Sequence, residues 1–66
     1  MRILLNGEPH DLPAPETVAA LLARLGLDSR TVAVELNRLV VKRARYGETD
    51  VREGAEVEIV AFVGGG

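Results

Sequence analysis

A chain of 66 residues with no cysteine lies near the lower size limit at which one hydrophobic core holds without staples. It is read as a single domain, residues 1–66, and disulfide scaffolds, thiolate metal sites and cysteine nucleophiles are excluded. Hydrophobic residues at 47% and charged ones at 27%, with a formal net charge of −2, describe a folded globular domain with no general attraction to phosphate backbones or anionic lipid. No apolar run nears the roughly 18 residues of a membrane span, so neither nucleic acid nor membrane is an expected partner, and the expected location is cytoplasmic.

The chain opens on an extended apolar run, Arg2 to Leu5, that meets Asn6-Gly7, a pair suited to a two-residue hairpin because both residues tolerate positive φ. The pair is read as turn chemistry and nothing more. A second strand is expected over Glu8 to Leu12, at a sheet edge because Pro9 cannot donate to a ladder, and Pro13 and Pro15 end it. From Val18 the period changes. Val18, Leu21, Leu22 and Leu25 recur at the spacing of one helical face, with Thr17 as N-cap and Gly26 as terminator.

Thr31 to Leu36 alternates, with Val32, Val34 and Leu36 on one face, and predicts a third strand. Asn37-Arg38 punctuates it, and Leu39-Val40-Val41 predicts a short further strand. Lys42 to Glu53 reads as loop with one helical turn and a turn signal at Tyr46-Gly47. In the final strand Val57, Ile59, Ala61 and Val63 alternate with Glu56, Glu58, Val60 and Phe62, and Gly64-Gly65-Gly66 follows. The resulting order places one helix across one face of a mixed four- to five-stranded sheet, an α+β fold with the first and last strands paired at its centre.

Most side chains with potential chemistry read as structural. His10 has no cysteine or second histidine to make a metal site with, and no acidic pair is set in a recognisable apolar pocket. The basic residues Arg38, Lys42, Arg43 and Arg45 read as a solvated loop. The outer face of the last strand is different, because it changes from Glu56 and Glu58 to Val60 and Phe62 toward the chain end. Leu4 and Ala33 share that outward parity in the strands expected beside it. Such a patch is expected to be a partner surface formed by Val60, Phe62, Val63 and Leu4.

Leu5-Asn6-Gly7-Glu8, Thr17-Val18 with Leu21-Leu22, Val32-Ala33-Val34-Glu35-Leu36-Asn37, and Gly54, Val57-Glu58-Ile59-Val60 and Phe62-Val63-Gly64-Gly65-Gly66 together resemble the ubiquitin-like β-grasp, and within it the ThiS-type sulfur carriers of thiamine biosynthesis. The resemblance covers essentially the whole chain. Arg38 and Ala55 depart from it, where a glycine and an aspartate are common, and both departures affect turns. Three terminal glycines in an arbitrary chain are a frayed end; the resemblance upstream of them reverses that reading.

The resemblance implies a carrier that is not itself an enzyme. The carboxylate of Gly66 is adenylated and then converted to a thiocarboxylate that donates sulfur to the thiazole ring. The implied partners are a ThiF-type adenylating enzyme, a ThiG-type thiazole synthase and a sulfur-donating persulfide protein. The resemblance further implies that this chain binds no cofactor and that ATP and Mg are used by the activating partner. Gly64, Gly65 and Gly66 are expected to form a flexible tail, and the first two suit a narrow channel, since they have no Cβ to meet its walls. Two other uses of a free glycine end remain open, a molybdopterin synthase small-subunit-like sulfur donor and a ubiquitin-like modifier. In a third alternative, a plain β-grasp binding module, the glycines do nothing.

Overall fold

The structure is a computed structural model, and it describes residues 1–62. Strands β1 (Arg2–Leu5), β2 (Glu8–Asp11), β4 (Val32–Leu36), β5 (Leu39–Val41) and β7 (Glu56–Ala61) form a sheet in the order β2-β1-β7-β4-β5. A small second sheet pairs β3 (Glu16–Thr17) with β6 (Asp50–Val51). The described residues contain one α-helix, α1 (Val18–Arg24). β1 and β7 run parallel at the centre and the other pairs are antiparallel, which is the β-grasp arrangement expected from the sequence.

The helix forms where the apolar spacing calls for it, and both its ends are satisfied. Val18 N–H donates to Thr49 O and Ala19 N–H to Tyr46 O, both at 2.9 Å. Ala20 N–H donates to the Thr17 hydroxyl at 3.1 Å. Three of the four donors that a helix start leaves unpaired are thus used. At the other end Gly26, at φ 74°, lets Gly26 N–H reach Ala23 O and Leu27 N–H reach Leu22 O, the paired closure that a left-handed residue makes possible. Glu16 and Arg24 join the two ends through a two-pronged ion pair, with Nη2 to Oε1 at 2.7 Å and Nε to Oε2 at 3.0 Å.

The core lies between α1 and the sheet. Val18, Leu21 and Leu22 meet Ile3, Val32, Val34 and Val57, all buried, while Leu25 and Leu36 are half-buried at its rim. Burying the three helical side chains contributes about 1.5–3 kcal/mol each before conformational entropy.

The stretch read as a loop does more than expected. The expected helical turn is a 3-10 turn at Arg43–Arg45, and beyond it the stretch adds the strand β6 and places Tyr46 and Val51 in the core at 4% and 0% exposure. Tyr46 is therefore a core residue whose carbonyl also caps α1. Both features are too short to show a period in sequence.

The two hairpin turns are alike in backbone. Asn6 and Gly7 lie at φ 51° and 82°, and Asn37 and Arg38 at 51° and 71°. Both residues of each turn are left-handed, the geometry that matches strand twist. Arg38 occupies a conformation that disfavours any residue with a Cβ, which gives the departure at this position a physical meaning.

Candidate functional site

The site expected from the sequence is the far end of β7 and the residues after it. β7 begins deep in the sheet. Leu4 pairs with Glu56 and Leu5 with Val57 on one side, and Leu36 with Val57 and Glu35 with Glu58 on the other. Beyond Val57 the β1 side runs out, because that chain turns away at Asn6. On the other side β4 continues to pair with β7, Val34 with Ile59, Ala33 with Val60 and Val32 with Ala61. The final bond on that side is from Phe62 N–H to Thr31 O at 2.8 Å.

Thr31 is held in turn by Asp28. The Thr31 N–H and hydroxyl both donate to Asp28 O, and the Asp28 carboxylate takes three hydrogen bonds of 2.8–3.1 Å from the Arg30 side chain and backbone N–H. The Arg30 guanidinium, and after it the Arg30 backbone N–H, pulls the Asp28 carboxyl down to about 2.

On the outer face Val60 and Phe62 are each 60% exposed, with Ala33 exposed beside Val60. Leu4 is also exposed, at 41%, but the structure does not bring it to them. Its partner is Glu56, four residues back along β7 from Val60, or about 13 Å at roughly 3.3 Å per residue. Glu56 and Glu58 share the outer face in that interval. The expected contiguous patch is thus Val60, Phe62 and Ala33, with Leu4 as an outlier, because the parallel register of β1 against β7 decides the neighbours. Val63, Gly64, Gly65 and Gly66 lie outside the described residues.

The inner side of the same end is open. A groove of about 360 Å³ is lined by Leu5, Asn6, Leu25, Leu27, Val32, Ile59 and Ala61, where the helix stops before it can cover the last inward-facing side chains of β7.

Asn6 was missed as anything but a turn residue, and the structure corrects that reading. Its Oδ1 accepts the Ile59 N–H at 2.7 Å and its Nδ2 donates to Ile59 O at 3.3 Å. Asn37 does a similar service at the start of β7, where its Oδ1 accepts the Glu56 N–H at 3.0 Å and its N–H donates to Glu56 O at 2.7 Å. The signal available in sequence was that the same residue type opens both turns.

The remaining candidates behave as side chains of the scaffold. His10 is half-buried opposite Ile3, and the described residues contain no cluster of three or more potential metal ligands. Arg38, Lys42, Arg43 and Arg45 are exposed. Arg43 donates to Ser29 O at 3.0 Å and Arg45 pairs with Glu48 at 3.1 Å. No helix among the described residues is long and apolar enough to cross a membrane.

The order β2-β1-β7-β4-β5 with one helix packed on the sheet defines a small β-grasp domain, and comparison gives its family. The ThiS family model matches residues 3–66, and the chain belongs to the ThiS family. The thiamine biosynthesis protein (ThiS) of Geobacter metallireducens superposes with a TM-score of 0.87 at 35% identity, covering 100% of both chains. The sulfur carrier protein ThiS of Thermus thermophilus is 34% identical over 64 residues, 97% of this chain and 98% of its own length. The thiazole synthase of Paramagnetospirillum magneticum is 48% identical over 66 residues, all of this chain but 20% of that protein. The chain thus spans about a fifth of the length of that relative.

Proposed function

We propose that this chain is a sulfur carrier for thiamine biosynthesis, with the terminal carboxylate of Gly66 as its working group. The observation that supports it most is the match to a sulfur carrier across 98% of that protein's length. The match of the whole chain to part of a thiazole synthase favours a ThiG-type thiazole synthase as the enzyme that takes the sulfur.

A free α-carboxylate, with an ordinary pKa near 3.3–3.7, is ionised at neutral pH and resists acyl transfer. In the proposed cycle one carboxylate oxygen attacks the α-phosphorus of Mg-ATP on a ThiF-type adenylating enzyme, and pyrophosphate leaves. A persulfide sulfur from a donor protein then attacks the acyl carbon and AMP leaves. A thiol cleaves the resulting S–S bond, is itself oxidised to a disulfide, and releases the thiocarboxylate. The catalytic groups and the ATP and Mg belong to the partners, and the chain is their co-substrate in the cytoplasm. Gly64 and Gly65 supply the narrow approach, and Val60, Phe62 and Val63 are the proposed grip of the adenylating enzyme, with Leu4 at most a distant contact.

Intact-mass measurement tests this. Incubated with the adenylating enzyme, Mg-ATP and a persulfide donor, the chain is expected to gain the mass of one oxygen-to-sulfur exchange on its C-terminal peptide. Deleting Gly66, or adding one alanine after it, is expected to lower the rate by about 100-fold, since a misplacement of about 1 Å has that effect and one residue of extended chain is about 3.6 Å. Sulfur on an internal residue, or an extended chain modified as fast as wild type, overturns the proposal. Attachment to lysines would instead support the modifier alternative.

A further inference from the structure

The bonds between β1 and β7 follow the parallel pattern for two rungs. Leu4 N–H donates to Ala55 O at 2.9 Å and Asn6 N–H to Val57 O at 2.8 Å. The next rung requires an acceptor for Ile59 N–H and a donor for Ile59 O, and a continuing β1 would supply both from its backbone. The chain cannot, because Asn6 lies at φ 51° and turns into the hairpin. The Asn6 side chain is a primary amide, with a carbonyl and an N–H group in nearly the geometry of a peptide. It fills the vacant rung, with Oδ1 to Ile59 N–H at 2.7 Å and Nδ2 to Ile59 O at 3.3 Å. These two bonds span 53 residues of sequence. On the β1 side they come after the last backbone rung, three residues before Phe62. On the β4 side the strand is held as far as Phe62.

We propose that Asn6 is a positioning residue for the glycine tail. Its amide stands in for the missing peptide of β1, fixes the direction in which β7 leaves the sheet, and thereby sets the rate at which Gly66 is modified. This rests on the carrier reading for the rate and on the geometry alone for the clamp. A strand held along one edge can swing about that edge; one held along both cannot. The reacting carboxylate is displaced by any such swing, and the reaction is sensitive to displacements of about 1 Å.

A turn-only role is separable from this one. Asn6→Gly keeps the turn, because glycine adopts positive φ freely and Gly-Gly suits a two-residue hairpin, but it removes the clamp. Asn6→Asp keeps the turn and the acceptor for Ile59 N–H and loses the donor. Amide hydrogen exchange and single-turnover modification at saturating adenylating enzyme are measured on all three chains. In Asn6→Gly, Ile59 exchange is expected to rise about 10-fold, the loss of one net hydrogen bond, with Val57 within about 2-fold of wild type. The saturated modification rate is expected to fall about 10-fold while the affinity for the enzyme stays within about 2-fold, and Asn6→Asp, which keeps the acceptor for Ile59 N–H but sets a carboxylate oxygen against Ile59 O, is expected to lie between Asn6→Gly and wild type in exchange and in rate.

Unchanged Ile59 exchange in Asn6→Gly overturns the clamp. Faster exchange with a wild-type saturated rate overturns the positioning role, and so does a loss of affinity with no loss of rate. A wild-type chain that takes no sulfur at all overturns the carrier reading and the rate claim with it. That result is distinguishable, since the Ile59 exchange then still decides the clamp.

Discussion

The two halves of β7 are built from the same alternating pattern and hold together in different ways. In the first half, Val57 pairs with Leu5 on one side and Leu36 on the other, Glu56 pairs with Leu4 on one side and is held by two bonds with Asn37 on the other, and Val57 is 1% exposed above the helix. In the second half, backbone pairing is on the β4 side, one side-chain amide replaces the other side, and Val60 and Phe62 face outward. The first half is secured by burial and the second by hydrogen bonds around an exposed apolar face. That difference suits the proposed role of a strand anchored at one end and offered to the adenylating enzyme at the other.

The largest expected effect lies beneath the first half. Leu22 is 1% exposed, and Leu22→Ala is expected to destabilise the domain by about 2–5 kcal/mol in chemical denaturation. A loss below about 0.5 kcal/mol would mean that burial does not secure this end. Val60→Asp asks the opposite of the second half. Its stability is expected within about 0.5 kcal/mol of wild type, while affinity for the adenylating enzyme by calorimetry is expected to fall at least about 10-fold, roughly 1.4 kcal/mol, because a charge enters the proposed apolar contact. Phe62→Asp is expected to behave alike, whereas Leu4→Asp, beyond Glu56 and Glu58, is expected to change affinity by less than about 2-fold.

A smaller effect is expected at the turn serving the first half. Arg38 at φ 71° carries the left-handed penalty of a residue with a Cβ, and Arg38→Gly is expected to stabilise by about 0.5–1 kcal/mol. Thermal denaturation would show a raised midpoint, and a lowered one would mean that the arginine side chain holds the turn. The smallest effect concerns the last bond of the second half. The folded Asp28 carboxyl is depressed to about 2 from an ordinary value near 3.9, so its contribution is complete above the ordinary value and is lost as pH falls through the folded one. Between about pH 4 and 2, the Thr31 and Phe62 amide resonances are expected to shift before Val57 does. In Asp28→Asn that pH-dependent step should be absent; its persistence would assign it to another carboxylate.

The sequence by itself determined whatever depends on neighbours a few residues apart. The spacing of Val18, Leu21, Leu22 and Leu25 specifies one helical face, the alternation of Val32, Val34 and Leu36 specifies one sheet face, and Asn6-Gly7 specifies a tight turn. Each follows from the period of the local backbone. The outward parity of Val60 and Phe62 was legible for the same reason, whereas the glycine end was read from the family resemblance and lies outside the described residues. Tyr46 and Val51 were not legible as core, because a single 3-10 turn and a two-residue strand are too short to display a period. Only the tertiary structure decided that Leu4 stands beside Glu56 and apart from Val60, since parallel register is set by how the whole sheet packs on α1. It alone also decided that Asn6 reaches Ile59 across 53 residues. A side-chain amide left over from a turn has no preferred partner in the sequence, and it acquires one only when folding brings an unpaired peptide within hydrogen-bonding distance.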